Sequence, residues 1–233
     1  MDIPFFYEPQ LLESTSIIAL SNDTHKHAIQ VLRMKVGDNM HLTNGNGLLA
    51  KAKLIEVQKK ESTAAIENID VQKDKEKKIT LAISLVKNAA RFEWMLEKIT
   101  EIGVASVIPL ICERTEKQHF RLDRMQQIII SAMLQSKQCW LPSLQEPTKF
   151  FQLIESNIIE TNLIAHCVEG NDKITIQSFN KATEMLICIG PEGDFTKEEI
   201  NRALQKHYKA VSLGNTRLRT ETAGLVATTL ALL

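Results

Sequence analysis

A run of six charged residues, Lys73-Asp74-Lys75-Glu76-Lys77-Lys78, separates two stretches of this chain whose apolar residues recur with different periods. A run this polar reads as a solvated linker or turn, so each flank has to build its own core. Two domains are therefore expected, over residues 1–72 and 79–233, with residues 73–78 as the linker.

Upstream of the run, strand signals fall at 16–20, 40–43 and 48–57. In the last of these Lys51 and Lys53 share one face, and Ala50, Ala52 and Leu54 the other. Asn44-Gly45-Asn46-Gly47 marks the turn before it. The pattern predicts a small, mostly antiparallel barrel. One helix interrupts it over 23–34, with Asp23 as N-cap, Ala28, Val31 and Leu32 on the apolar side, and Val36-Gly37-Asp38 as the exit turn.

Downstream, continuous apolar runs at 79–86, 104–110, 162–167, 185–189 and 210–213 alternate with helical periods at 91–102, 121–139, 197–207 and 220–233. That alternation predicts an α/β domain with a mainly parallel sheet. Phe92, Met95, Ile99 and Ile102 share a helix face that Gly103 ends, and Thr196 with Glu199 forms a capping box.

Composition narrows the function classes. Apolar residues make up 44% of the 233, too many for a disordered chain. No run is long enough for a membrane span, and Met1-Asp2-Ile3-Pro4 lacks the basic flank of a signal peptide, so a cytoplasmic protein is expected. Lys plus Arg equal Asp plus Glu at 28 each, which argues against a general polyanion binder; a nucleic-acid partner would have to be chosen by shape. Cys112, Cys139, Cys167 and Cys188 form no C-x-x-C pair and read as buried thiols. His25 and His27 have no Cys or acidic residue to complete a ligand set and read as a solvated helix face, so no metal is expected. Trp94 and Trp140 read as packing or interface residues.

The common nucleotide-binding, metalloprotease and hydrolase motifs are missing. An enzyme with this sequence would need neither a protein nucleophile nor a metal, and its reagent would arrive already activated. The unusual sequence lies at two strand exits. Residues 185–189 run into Gly190-Pro191-Glu192-Gly193-Asp194, and residues 210–213 run into Gly214-Asn215-Thr216-Arg217-Leu218-Arg219-Thr220-Glu221-Thr222-Ala223. Ligands of open α/β sheets bind at such carboxyl ends, and glycine there lets the backbone approach a flat heterocycle. The competing reading is ordinary turn punctuation.

The pattern resembles the RsmE family of 16S ribosomal RNA uridine N3-methyltransferases, of the SPOUT superfamily, over nearly the full chain. The residues that carry the likeness are His27-Ala28-Ile29-Gln30-Val31-Leu32-Arg33-Met34-Lys35-Val36-Gly37-Asp38, Lys87, Lys98-Ile99-Thr100-Glu101-Ile102-Gly103-Val104, Pro109 and Glu113-Arg114-Thr115. Gln135-Ser136, Gly190-Pro191-Glu192-Gly193 and Leu218-Arg219-Thr220-Glu221-Thr222-Ala223 complete the set. The resemblance implies a PUA-like RNA-binding barrel followed by a trefoil-knotted methyltransferase domain, a homodimer, and S-adenosylmethionine held in the knot. The implied substrate is one uridine of 16S rRNA in the small ribosomal subunit. Where the family reads G-P-E-G-G-F this chain has Asp194 for the second glycine, and where it reads R-I-L-R this chain has Thr216-Arg217-Leu218-Arg219. A related enzyme acting on tRNA or ribose, and a non-enzymatic RNA-binding or assembly protein, are the alternative readings.

The resemblance places the cofactor against Ile189, Gly190, Pro191, Gly193, Leu213, Gly214, Leu218 and Thr220. Arg33, Lys35, Lys87, Arg91, Arg114 and Arg217 are the expected RNA contacts, with Lys51 and Lys53 possible additions to that stripe. Arg219 is the first candidate for catalysis, its guanidinium facing the uracil oxygens or a phosphate; the alternative is that it pairs with Glu221 or Glu192. Glu192 would face the sulfonium or cap the next helix.

Overall fold

In the N-terminal stretch, alternation of apolar and polar residues gives strands with one buried face. The computed structural model, which describes residues 3–116, 118–168 and 173–233, contains β1 (Phe5–Tyr7), β2 (Ile17–Ala19), β3 (Asn39–Thr43), β4 (Leu48–Val57) and β5 (Ser62–Val71) in one sheet of order β1-β3-β4-β5-β2. Its pairs are antiparallel except β1 with β3. Ala50, Ala52 and Leu54 are buried and Lys51 and Lys53 exposed, as the alternation predicts. The inward faces enclose Phe6, Leu11, Met40, Leu42 and Ala64. Strand β5, half of the longest pairing, has weak alternation and was not legible in sequence.

The expected helix over 23–34 is shorter and irregular. Helix α1 (Asn22–His25) starts two residues earlier than an N-cap at Asp23 allows, because the Ser21 side chain accepts the Thr24 N–H and is the N-cap. The chain then widens into a π-helical turn, Lys26–Val31, where the Leu32 N–H reaches back to the His27 carbonyl, and Arg33 at φ +57° ends it. His25 is buried, its Nδ1 2.7 Å from Ser62 Oγ, which corrects the expectation of a solvated face.

The chain divides into two compact units, Met1–Asp74 with Met133–Leu141, and Lys75–Ala132 with Pro142–Leu233. Residues 133–141 join the first unit through backbone bonds at the β3–β4 turn: Gly47 N–H donates to Cys139 O at 2.8 Å and Leu141 N–H to Gly45 O at 2.8 Å. The Trp140 ring lies so close over Gly47 that a Cβ there would fall 2.4 Å from it. Trp140 is thus a packing residue, and Gly47 has a steric as well as a conformational reason to be glycine.

The second unit holds β6 (Lys78–Ser84), α2 (Ala89–Ile102), β7 (Ser106–Ile111), α3 (Leu122–Gln135), β8 (Ser143–Leu144), β9 (Thr148–Lys149), α4 (Phe150–Ser156), β10 (Thr161–Ala165), β11 (Ile174–Thr175), β12 (Glu184–Ile189), α5 (Lys197–Gln205), β13 (Lys209–Ser212) and α6 (Thr220–Leu232). The sheet order is β11-β13-β10-β12-β6-β7-β8, with β9 also on β7, and every pair is parallel. Both faces are covered, which is why its strands read as continuous apolar runs. On one face Phe150, Leu153, Ile200, Ala203 and Tyr208 pack on Ala82, Ile164, Leu186 and Cys188. On the other, α6 lies against α2, β6 and β12, and Gly224 brings it so near that a Cβ would meet Ile83 Cδ1 at 2.6 Å.

Local signals explain the helix ends. Asn88 caps α2 by accepting the Ala90 N–H, and Gly103, at φ +100°, closes it by donating to Ile99 O and Thr100 O. Ile102, expected on the buried face, is 40% exposed; Leu96 and Thr100 are buried instead. Thr196 and Glu199 form the expected capping box on α5. Cys112, Cys139 and Cys188 are buried, but Cys167 is exposed, because it lies just past the end of β10.

Candidate functional site

Because β10, β12 and β13 are parallel neighbours, their carboxyl ends leave the sheet together, and three exit loops surround one cleft of about 890 Å³ in the second unit. The β12 exit contributes Ile189, Gly190, Pro191, Glu192 and Asp194. The β13 exit contributes Leu213 through Thr220, together with Glu221 and Ala223 at the start of α6. The β10 exit, which sequence analysis did not single out, contributes Ala165, His166 and Cys167. Ala165-His166-Cys167 carries no glycine or repeated motif to mark it.

Of the eight residues expected to touch a cofactor, seven line this cleft: Ile189, Gly190, Pro191, Leu213, Gly214, Leu218 and Thr220. Gly193 is not among the lining residues; a Cβ there would sit 3.4 Å from the Arg114 side chain. The two other glycines differ in what they permit. At Gly214 a Cβ would meet nothing within 4 Å, but φ is +132°, a conformation that side-chain-bearing residues rarely adopt. At Gly190 a Cβ would meet the Phe195 ring and backbone at 3.0–3.1 Å, so a side chain there would press on Phe195. The Thr220 hydroxyl donates to Gly190 O at 3.1 Å and ties the β12 exit to the start of α6.

Charges in the cleft divide into paired and unpaired groups. Arg219 is exposed at the N-cap position of α6; its carbonyl accepts the Ala223 N–H, but its guanidinium forms no ion pair or hydrogen bond among the described residues. Neither expected partner holds it. Glu221, 7% exposed, lies 3.7 Å from the Arg91 guanidinium, and Glu192 Oε1 accepts the Lys87 N–H at 3.0 Å. Glu192 therefore braces the loop before α2 and does not cap the helix that follows it. Arg217 also lines the cleft and is exposed.

The remaining expected RNA contacts are dispersed. Arg114 donates from Nη1 to Gly193 O at 2.7 Å, and Lys87 Nζ is 2.9 Å from Glu116. The hydrogen-bonded Glu116 carboxylate holds the Lys87 ammonium above its usual lysine range. Arg33 and Lys35 are exposed in the first unit, where Lys53 pairs loosely with Glu67 at 4.0 Å.

His166 is 7% exposed, and neither ring nitrogen has a hydrogen-bond partner among the described residues. Burial, reinforced by the Lys173 charge, pushes its pKa below the ordinary histidine value, and nearby Asp194 opposes this. Its imidazole is therefore kept neutral, with one nitrogen to donate and one to accept. The cleft thus combines apolar surface, exposed backbone at glycines, a neutral imidazole and an unpaired guanidinium. That set fits a flat heterocycle with a polar tail and an anionic reactant beside it. Among the described residues, no group of His, Cys, Asp and Glu is arranged to hold a metal ion, and no helix is long and apolar enough to cross a membrane.

Comparison with known proteins gives a consistent picture. An RNA methyltransferase domain matches residues 73–232 and an RNA methyltransferase PUA domain matches residues 20–67. The chain is 31% identical to ribosomal RNA small subunit methyltransferase E of Synechocystis over 94% of its length and 73% of that protein. It is 28% identical to the Bacillus subtilis protein of the same name, over 94% and 90%. The fold superimposes on a probable rRNA methyltransferase from Porphyromonas gingivalis with a TM-score of 0.90 at 35% identity, covering 97% and 96% of the two chains. It also superimposes on the Neisseria gonorrhoeae ribosomal RNA small subunit methyltransferase E bound to S-adenosylmethionine, with a TM-score of 0.88 at 30% identity over 98% and 96%. With both domains matched in order and the likeness spanning nearly the whole chain, this protein belongs to the ribosomal RNA small subunit methyltransferase E family.

Proposed function

We propose that this protein methylates N3 of a single uridine in 16S rRNA of the small ribosomal subunit, with S-adenosylmethionine bound in the cleft formed by the β10, β12 and β13 exits. The observation that carries the reading is the unpaired Arg219 guanidinium at the rim of a cleft whose other charged side chains are largely engaged. When bound, the cofactor supplies an activated methyl group on a sulfonium, so the protein's part is to position the reactants and manage charge. Leu213, Leu218 and Ile189 would offer apolar surface to the cofactor, and Gly214 would leave its backbone open to it. Transfer would break the S–CH3 bond and release the cofactor as its thioether, the N3 proton would pass to solvent, and Arg219 would stabilise the negative charge that this leaves on the flanking uracil oxygens. Arg91 and Glu221 neutralise each other below, so Arg219 is left available for RNA.

The same reading includes a homodimer in the cytoplasm and the knot implied by the family resemblance. Support for the dimer comes from apolar side chains left partly exposed on α6, Leu225, Val226 and Leu230 among them, and from Trp94 on α2. Transfer of a tritiated methyl group to small subunits, protein-free rRNA and tRNA tests the substrate. Incorporation into small subunits alone supports the proposal; incorporation into tRNA alone, or none into any RNA, contradicts it.

A further inference from the structure

Asp194 has φ +63°, in the left-handed region that favours glycine, on the loop that follows β12. Its carboxylate is fully used across two loops: Oδ2 accepts the Cys167 N–H at 2.8 Å, and Oδ1 accepts the Phe195 N–H at 2.8 Å. Its own N–H donates to Pro191 O at 2.9 Å, which closes the turn. Cys167 directly follows His166, the buried residue whose two ring nitrogens have no partner among the described residues, and Lys173 Nζ donates to the His166 carbonyl at 2.6 Å. The His166–Cys167 peptide group is thus held at both its N–H and its C=O, while the imidazole itself is left without a partner among the described residues. His166 lines the cleft with both ring nitrogens buried, and because a buried polar group without a partner costs stability, a ligand that reached either nitrogen would recover that cost.

We propose that Asp194 is a positioning residue of the cofactor cleft: its carboxylate locks the β10 exit to the β12 exit, so that His166 stands ready as a ring-nitrogen contact for the bound cofactor. The strained backbone is retained because glycine, which would relax it, has no carboxylate with which to reach Cys167. Asparagine tolerates the same φ and keeps one acceptor oxygen, so it preserves the tie to Cys167 while giving up the second bond. This inference rests on the assignment of the cleft to S-adenosylmethionine.

The test is calorimetric titration of the full-length protein with S-adenosylhomocysteine, for wild type, Asp194→Gly, Asp194→Asn, His166→Leu and the double variant Asp194→Gly/His166→Leu. Asp194→Gly is expected to weaken binding about tenfold, the size of a lost charge-assisted hydrogen bond, with its melting temperature close to wild type because strain is relieved. Asp194→Asn is expected to recover most of that loss. If Asp194 acts through His166, the double variant binds no more weakly than the worse single variant, whereas independent roles give losses that multiply. Multiplying losses, or wild-type affinity in Asp194→Gly, would overturn the proposal. Hydrogen exchange with and without the ligand separates this from a misplaced site. Protection of the exits at Ile189–Asp194 and Leu213–Thr220 keeps the cleft assignment whatever Asp194 does, and its absence under saturating ligand refutes the assignment itself.

Discussion

Replacing Arg219 by Ala removes a guanidinium that no carboxylate of the described residues holds, so its loss should leave the fold unchanged and fall on the reaction. We expect the methyl-transfer rate to drop about 100-fold, as for removal of one group that stabilises developing charge, with cofactor affinity nearly unaffected. Arg217→Ala should cost less than tenfold. Single-turnover kinetics beside calorimetry separate the two effects, and equal losses in rate and affinity would assign Arg219 to loop structure. His166 sets a second expectation. An unfolded chain protonates this ring as pH falls through about 6.5, whereas the folded protein holds it neutral to lower pH. In that window the unfolded state binds more protons, so stability is lost as pH drops from about 6.5 toward the folded value. Melting temperature against pH should fall less steeply over this range in His166→Leu than in wild type; identical slopes would place the acid sensitivity elsewhere.

At the level of single elements, what was legible in sequence was whatever a strong local signal marks. The continuous apolar runs located β6, β7, β10, β12 and β13, and the Thr196–Glu199 pair located the start of α5. The failures have physical causes. Ser21 outcompetes Asp23 as N-cap, and the π-helical turn after it depends on backbone hydrogen bonding that residue spacing does not encode. Strands β8, β9 and β11, two residues each, are too short to show a period. The cleft was half legible: glycine clusters exposed two of its walls, but Ala165-His166-Cys167 joins them only because β10 pairs with both β12 and β13. Packing of α6 gives a test at this scale. Since a Cβ at Gly224 would meet Ile83 at 2.6 Å, Gly224→Val should overpack the contact with β6 and destabilise the protein by about 1–3 kcal/mol, measured by urea unfolding. Gly190→Val should also lower stability, through Phe195, so cofactor binding by that variant is to be measured beside its melting temperature.

For the whole molecule, neutrality overall conceals uneven distribution. Residues 73–140 carry 12 basic against 8 acidic groups, whereas residues 1–72 carry 7 against 9 and residues 141–233 carry 9 against 11. Several of those basic groups, Lys87, Lys98 and Arg124 among them, are held in ion pairs. Few phosphates can then be neutralised per site, and the affinity for small subunits should fall with salt at a log-log slope well short of the ~10 of strongly electrostatic binders. Changing both Arg33 and Lys35 to Ala should reduce transfer to small subunits while leaving cofactor affinity intact. The central claim is that this family member places one methyl group on uracil N3 within the assembled small subunit. Its most direct test is to incubate small subunits lacking the modification with the protein and S-adenosylmethionine, digest the 16S rRNA to nucleosides, and identify the methylated product by mass spectrometry. The expected product is 3-methyluridine, about one per subunit, absent when Arg219→Ala replaces the wild type over the same short incubation. A ribose-methylated or 5-methylated nucleoside would contradict it.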